Sequence, residues 1–423
     1  MARQSDFDLS CLGIGLSSWG PISSTFKCAK GWSDDDLTKY NSIITGVQIA
    51  GAMVGAQGCE PFTKKLGKLR LMHVMNLLLL CSIAVCMIDN IPIICVGRFF
   101  WGITFGCFSV ICAKYNNEIC PVEYKGPFGA ISQLLLTFGV CIPSTMALAI
   151  PLCTPENKDE FMNTQFWRII WLVPAVVAVI HSIILQFFFN HETPVYLREK
   201  GDEAGLLLVM NKFYHDNEIK ARLASLAATQ NADNGTEVTY KDTFFDSSMN
   251  RAAWVGIGLA SFQQLTGINA IIFFSGSLFD ADFAVQGTAI INGANFISTI
   301  FGMMLLSVAG RKTLMVVLQV FVIGSMVGMW YFSTVEHSND KLLLVLTVSF
   351  ICAFEFGPGP IVWLYISEVC NDKATSVGTV MNWLWTLIVS LTAPFLLNNW
   401  LPDGKTWLLF GSTSVLVSIL NSC

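Results

Sequence analysis

Long apolar stretches fill most of this chain and leave room for few architectures. A membrane-spanning helix needs about 20 consecutive, mostly apolar residues. In hydrocarbon every backbone N–H and C=O group must be paired within the protein, so such stretches predict α-helices rather than open strands. We predict an all-α membrane protein with twelve spans, at residues 8–26, 42–60, 71–88, 91–113, 127–150, 166–189, 252–278, 285–308, 313–332, 341–367, 375–397 and 405–420.

Composition excludes several classes of function. Charged residues make up 13% of the chain, against about 25% in soluble proteins. A net charge of -5 and the lack of a long basic tract argue against nucleic-acid binding. The five histidines are scattered, and none has a nucleophile or metal ligand at motif spacing. We therefore expect no enzymatic activity, no metal and no cofactor, with the lipid bilayer and a small molecule as partners.

The fourteen cysteines do not form an obvious disulfide framework. Most lie within apolar stretches, where cysteine packs as a small core residue. Cys28 and Cys153 lie outside the predicted spans and are able to pair, but one sequence does not decide whether they do.

A polar segment and an internal repeat divide the chain into related halves. The segment 191–251 separates a six-span bundle at 1–190 from a second at 252–423, and it is rich in helix-forming residues. Glu118-Ile-Cys follows span 4, and Glu368-Val-Cys follows span 10 at an offset of 250 residues. Two related halves are typical of transporters that alternate access to a central site.

The distribution of positive charge predicts orientation. The even-numbered connections between spans hold more than twice as many lysines and arginines as the odd-numbered ones. Because positive residues favour cytoplasmic loops, the even-numbered connections and both termini are predicted to be cytoplasmic.

A polar cluster lies within the seventh span. The run 252–279 contains no charged residue, yet it carries Gln263, Gln264, Thr266 and Asn269. Residues three and four apart share a helix face, so one helix presents a broad polar surface. Amides that both donate and accept hydrogen bonds suit a sugar or polyol. They equally suit contacts that fasten helices together in a membrane bundle, and this stretch alone leaves both interpretations open.

Five motifs give the chain its resemblance to a known family. They are Gln-Gln-Leu-Thr-Gly-Ile-Asn at 263–269, Phe-Glu-Phe-Gly-Pro-Gly-Pro-Ile-Val-Trp at 354–363, Gly-Arg at 97–98 with Glu118 and Lys125-Gly126, Glu-Thr-Pro at 192–194, and Asn-Trp at 382–383. Together they resemble the sugar porter family of the major facilitator superfamily, which includes facilitative glucose transporters and proton-coupled sugar symporters. The resemblance covers nearly the whole chain and implies twelve helices in two six-helix halves joined by a cytosolic helical linker.

The resemblance implies roles for three groups of residues. Amides and tryptophans of helices 5, 7, 8, 10 and 11 would bind the sugar or stack on it: Gln133, Gln263, Gln264, Asn269, Asn295, Trp363 and Trp383. Two aromatic residues of helix 7 and the interrupted part of helix 10 would act as gates: Phe273, Phe274, Gly357, Pro358, Gly359 and Pro360. An intracellular charge network would hold the outward-facing state: Arg98, Glu118, Lys125, Glu192, Arg311, Glu355 and Glu368.

The charged group has a plainer alternative, which is solvation at the helix ends. Glu355 argues against it, because this residue follows an apolar run from Leu342 and needs a partner if it lies within the membrane. Val195 and Leu69 stand where the family usually has arginine, and Ser307-Val308 replaces an acidic and a basic residue. These departures put in question how firmly the outward-facing state is held.

A further departure bears on energy coupling. Proton symporters of the family carry an aspartate on helix 1 beside an arginine on helix 4, and Ser18 aligns with that aspartate here. The resemblance therefore favours facilitated diffusion of a hexose, and we expect the protein in the plasma membrane. Proton-coupled transport of a sugar or of a polyol such as inositol stays open, as does a transporter-like sugar sensor. A monomer is the expected functional unit, and the oligomeric state is open.

Overall fold

The computed structural model describes residues 5–119, 125–150, 165–214, 218–220, 222–224, 239–246, 249–334, 340–401 and 404–422. Regular secondary structure in these residues is helical. The first half consists of helices Ser5–Ser17 and Gly20–Lys30 in span 1, then Asp34–Leu66, Lys68–Cys86, Ile91–Ile119, Lys125–Ala147 and Phe166–Phe187 in spans 2 to 6.

The polar segment and the second half complete the helical passes. Short helices Pro194–Glu199, Glu203–Phe213 and Tyr240–Phe245 form the described part of the linker. Span 7 is Asn250–Leu265 with Ile268–Phe274, and span 10 is Asp340–Phe356 with Pro358–Val369. The remaining passes are Ala281–Val308, Arg311–Thr334, Asp372–Phe395 and Lys405–Ser422 in spans 8, 9, 11 and 12.

The all-α prediction is confirmed. Within the described residues, nine helical segments are long and apolar enough to cross a membrane. Span 1 falls short of that length because it is divided after Ser17, and the part of span 5 that qualifies, Ile131–Ala147, is a shorter apolar helix. Span 2 begins earlier than predicted because Ser33 and Asp36 form a capping box that starts the helix at Asp34.

Small residues bring spans 2 and 4 into close contact. A Cβ atom built on Gly51 would lie 2.1 Å from the carbonyl oxygen of Phe99, and one built on Gly102 would lie 2.0 Å from that of Gln48. Gly55 and Gly106 repeat this approach one turn further along. Since lipid provides no hydrophobic force between helices, such backbone packing is a principal source of bundle stability.

The linker packs against the two halves at one end of the bundle, which we call the linker end. Tyr214 Oη donates to the Ile119 carbonyl at 2.8 Å, and Arg222 Nη2 donates to the Glu118 carbonyl at 3.2 Å. On the second half, Asn371 Nδ2 donates to Thr243 Oγ1 at 2.9 Å. The linker helices therefore contact both halves.

The opposite end of the bundle, which we call the far end, holds the halves together. Span 2 packs against span 11, and span 5 against span 8. Asn398 Nδ2 donates to Thr38 Oγ1 at 2.9 Å, and the Ser42 hydroxyl donates to the Leu391 carbonyl. The bundle is therefore closed at its far end along the contact between spans 2 and 11.

The structure answers in part whether Cys28 and Cys153 form disulfide bonds. Cys28 is disulfide-bonded, whereas Cys153 lies outside the described residues. Ten other cysteines in the described part of the chain are not disulfide-bonded.

Candidate functional site

Span 7 is broken inside its Gln-Gln-Leu-Thr-Gly-Ile-Asn motif. The helix Asn250–Leu265 ends before Gly267, and a second helix starts at Ile268. Gly267 has φ of 83°, a left-handed conformation that glycine adopts without steric cost. A Cβ atom there would also lie 2.6 Å from the ring of Phe410. The break places the motif's amides on both sides of a turn rather than along one straight helix.

Span 10 is broken opposite the same motif. Helix Asp340–Phe356 stops at Gly357, and Pro358 occupies the first turn of the next helix, where its missing N–H costs nothing. The sequence 357–360 therefore interrupts the helix as its glycines and prolines indicate. The gating role of Gly357, Pro358, Gly359 and Pro360 stays a prediction.

Gln263 joins the two breaks. Its Nε2 donates to the Gly359 carbonyl at 2.8 Å and lies 3.3 Å from the Pro358 carbonyl. Its Oε1 accepts a hydrogen bond from Asn382 Nδ2 at 3.2 Å. Both ends of this amide are thus engaged with spans 10 and 11. In this state, which is closed at the far end, Gln263 fastens span 7 to spans 10 and 11. Helix packing is one of the two roles that the sequence left open for this amide.

Gln264 and Asn269 form a pair across the break of span 7. Asn269 Nδ2 donates to Gln264 Oε1. Asn269 is half-buried and Gln264 is buried. Each amide keeps a second polar group, Nε2 of Gln264 and Oδ1 of Asn269, which can hydrogen-bond a ligand. These two residues therefore retain the chemistry predicted for hydroxyl recognition.

Glu355 lies at the centre of a second polar group. Asn295 Nδ2 donates to its Oε1 at 3.1 Å, and Thr299 Oγ1 donates to its Oε2 at 3.2 Å. The side chain of Gln133, from the first half of the chain, also hydrogen-bonds to it. Glu355 is only 4% exposed. It therefore joins spans 5, 8 and 10 in the interior of the bundle.

This position corrects the prediction that Glu355 belongs to a charge network at the linker end. Glu355 precedes the break at Gly357, whereas span 10 continues towards the linker end as far as Val369. A carboxylate within the bundle needs hydrogen-bond donors, and Asn295, Thr299 and Gln133 provide them. The apolar run before Glu355 was the signal for a buried site.

The predicted aromatic residues occupy different environments. Trp383 packs against the hydrophobic cores of both halves, while Trp363 is 39% exposed. Phe273 and Phe274 are buried, with their rings edge-to-face at 6.1 Å. A Cβ atom on Gly20 would lie 2.5 Å from the Phe273 carbonyl oxygen, so span 1 rests directly on this part of span 7. The phenylalanine pair thus lies at a contact between the halves.

Comparison with known proteins decides the family. The profile of the family described as "Sugar (and other) transporter" matches residues 16–421. The chain belongs to this family. Among its relatives, the glucose transporter GlcP of Staphylococcus epidermidis is 27% identical over 89% of this chain and 83% of its own length. Hexose transporter 1 of Plasmodium knowlesi is 26% identical over 84% of this chain and 74% of its own length.

A solved structure confirms the fold of this sugar transporter family member. The partially occluded, inward-open form of the xylose transporter XylE from E. coli superposes with a TM-score of 0.82. The alignment covers 99% of this chain and 95% of the other at 18% identity. The predicted twelve-helix major facilitator fold is therefore correct.

Arg98 of this transporter does not lie at the linker end, which corrects a second prediction. It precedes Glu118 by twenty residues on one helix, or about 30 Å at 1.5 Å per residue. Arg98 is fully buried, and its Nη1 donates to Ser18 Oγ at 3.0 Å and to the Gly15 carbonyl at 3.3 Å. Its guanidinium lies 5.2 Å from the ring centroid of Trp101. Ser18, which aligns with the aspartate of the proton symporters, therefore contacts Arg98 directly and joins spans 1 and 4.

The remaining predicted network residues lie at the linker end or outside the described side chains. Lys68 Nζ forms a 2.7 Å ion pair with Glu118, and Lys68 was not among the predicted members. Glu192 accepts hydrogen bonds from the backbone N–H groups of Lys68 and Leu69 at 3.1 and 3.0 Å. The Arg311 side chain is exposed. The side chains of Lys125 and Glu368 lie outside the described residues.

The contact of Glu192 explains how span 3 begins. Gly67 precedes the helix Lys68–Cys86 and has no side chain to cap it, so the Glu192 carboxylate meets the free N–H groups of the first turn. Burial raises the pKa of Glu192, while the backbone hydrogen bonds oppose that shift. The Gly67-Lys68 pair in the sequence was the available signal for this junction.

Proposed function

We propose that this transporter carries a hexose down its concentration gradient by alternating access. The observation that carries the proposal is the convergence of amides and one carboxylate from spans 5, 7, 8 and 10. Gln264 pairs with Asn269. Asn295 and Gln133 both form hydrogen bonds with Glu355. A hexose is neutral and carries several hydroxyls, each of which donates and accepts a hydrogen bond, so such groups are complementary to it. The names of two relatives, a hexose and a glucose transporter, support this substrate class.

Access to the site alternates between the two ends of the bundle. We take residues 1–190 and 252–423 as the two moving halves, with 191–251 as the linker. The excess of positive residues at the linker end supports a cytoplasmic location for that end and for both termini. Contacts such as Asn398 with Thr38 close the far end, so the described state is the one that faces the cytoplasm. The plasma membrane is the location that fits an uptake function.

The contact between Ser18 and Arg98 supports facilitated diffusion. A proton-coupled porter needs a group that binds and releases a proton near neutral pH, and a carboxylate beside a buried arginine serves that purpose. Here Arg98 Nη1 donates to a hydroxyl, Ser18 Oγ, at 3.0 Å. A serine hydroxyl does not titrate in this range, so this junction carries no proton.

One observation favours proton symport as a second candidate. Glu355 is a buried carboxyl within the proposed site and is bonded to residues from both halves. A carboxyl in that position is able to couple its protonation to the movement of the halves. The two candidates differ in whether a pH gradient drives sugar accumulation.

Uptake of labelled D-glucose into proteoliposomes tests the substrate assignment. We expect unlabelled glucose to compete more strongly than inositol or L-glucose. Gln264→Ala and Asn269→Ala should each reduce uptake about tenfold or more, because each removes a hydroxyl partner and leaves the other amide unpaired, at about 1–3 kcal/mol. Folded yield, measured by size-exclusion chromatography, should match that of the wild type. Wild-type uptake in both variants would contradict this site, and stronger competition by inositol would make the protein a polyol porter.

A further inference from the structure

Asn292 is a buried amide without a role in the contacts described above. Its side chain is 0% exposed. Neither its Oδ1 nor its Nδ2 has a hydrogen-bond partner within the described part of the chain. A buried polar group without a partner costs about 1–3 kcal/mol, and the large majority of buried polar side chains have one. Retaining this asparagine is therefore costly unless a ligand satisfies it during the transport cycle.

The position of Asn292 indicates which ligand that is. It lies three residues before Asn295 on helix Ala281–Val308, so the two side chains share a helix face about 4.5 Å apart along the axis. Asn295 contacts Glu355 on the linker side of this position. On the far side, Ser275 Oγ donates to Thr288 Oγ1 at 3.2 Å. Asn292 thus stands between the polar group around Glu355 and a contact that closes span 7 onto span 8.

We propose that Asn292 is a specificity-determining residue that binds a hydroxyl on the part of the hexose nearest the far end. Its amide offers one acceptor and two donors, which together match a hydroxyl group. A buried amide that pairs with a substrate hydroxyl discriminates against any analogue that lacks the hydroxyl, because the amide is then left unpaired. This inference rests on the proposed hexose function and adds one contact to it.

The test compares dissociation constants for D-glucose, its single-deoxy analogues and D-xylose, which lacks the hydroxymethyl group. In the wild type, one analogue should bind at least about tenfold more weakly than glucose, since an unpaired amide costs about 1–3 kcal/mol. Asn292→Leu keeps the side-chain size but cannot hydrogen-bond. It should bind glucose about tenfold more weakly. Its affinities for glucose and for that one analogue should become similar, while the differences between glucose and the other analogues should persist.

Gln319→Leu is the matched control. Gln319 is a fully buried amide of span 9 whose Nε2 donates to the Ser414 carbonyl of span 12 at 3.1 Å. Its variant should lower thermal stability but leave the order of affinities unchanged. Asn292→Thr serves as a second test variant, because its single hydroxyl cannot replace both groups of the amide. The affinity difference between glucose and the same analogue should decrease in this variant too.

Three results would overturn the inference. Unchanged affinities in Asn292→Leu would show that the amide does not meet the sugar. Equal weakening for every analogue is what a purely structural role would produce. Failure of the wild-type protein to bind any hexose would overturn the proposed function as well, so the two failures are distinguishable.

Discussion

Glu355→Ala is expected to reduce hexose uptake at least about 100-fold. The Glu355 carboxylate accepts hydrogen bonds from Asn295 and Thr299 of span 8, and Gln133 of span 5 also bonds to it. Alanine removes the acceptor that Asn295 and Gln133 share, at about 1–3 kcal/mol for each lost hydrogen bond, whereas Thr299 keeps its hydrogen bond to the Asn295 carbonyl. A loss of about 2.7 kcal/mol corresponds to a factor of 100. Because Gln133 belongs to the first half and Glu355 to the second, the substitution should destabilise most the state that is closed at the far end.

Two companion variants make this prediction specific. Glu355→Gln keeps one acceptor oxygen and should fall between the wild type and the alanine variant. Glu60→Ala removes a glutamate whose surface ion pairs are with Lys64 at 3.4 Å and Lys114 at 3.8 Å, so uptake should stay within about twofold. Initial rates of labelled glucose uptake, scaled to folded protein, provide the measurement. Wild-type rates in Glu355→Ala would contradict the position assigned to this carboxylate.

Gly46→Trp is expected to abolish transport by preventing closure of the far end. A Cβ atom on Gly46 would lie 2.3 Å from Leu391 Cδ2, at the contact between spans 2 and 11. An indole ring needs far more room than this contact provides, so the two spans cannot approach. The protein should then remain open at the far end, where it still binds sugar but cannot release it at the other side.

A second glycine of the same helix provides the control. Nothing lies within 4 Å of a Cβ atom built on Gly58, so Gly58→Trp should keep most of the wild-type uptake. Glucose binding by isothermal calorimetry should be retained in Gly46→Trp even though uptake is lost. Uptake by Gly46→Trp at the wild-type rate would show that this contact does not separate during transport.

Much of the architecture could be predicted from the sequence because the bilayer restricts it so strongly. The length of the apolar stretches indicates the helices, and the glycines and prolines at 357–360 indicate the interruption of span 10 through local backbone chemistry. These signals depend on residues close together in the chain. They therefore need no knowledge of which helices meet. The break of span 7 at Gly267 was not predicted, because the sequence was interpreted there as one continuous helix.

The partners of polar side chains depend on helix packing and were predicted less well. Arg98 and Glu355 were grouped with the linker-end charges because they lie in charged motifs, yet each is buried within the bundle. Twenty residues of helix between Arg98 and Glu118 exclude a common network. Gln263 was predicted to face the sugar, and only the structure shows its amide bonded to spans 10 and 11. Asn292 has no sequence motif, and its significance comes from burial without a partner.

The most direct test of hexose uniport is glucose uptake by the purified protein in proteoliposomes, with and without an imposed pH gradient. We expect labelled D-glucose to reach the same internal and external concentration in both cases, with initial rates within about twofold, because Arg98 pairs with Ser18 rather than with a carboxylate. Accumulation of glucose above the external concentration under an inward proton gradient would contradict uniport and make Glu355 the first residue to examine as the proton carrier.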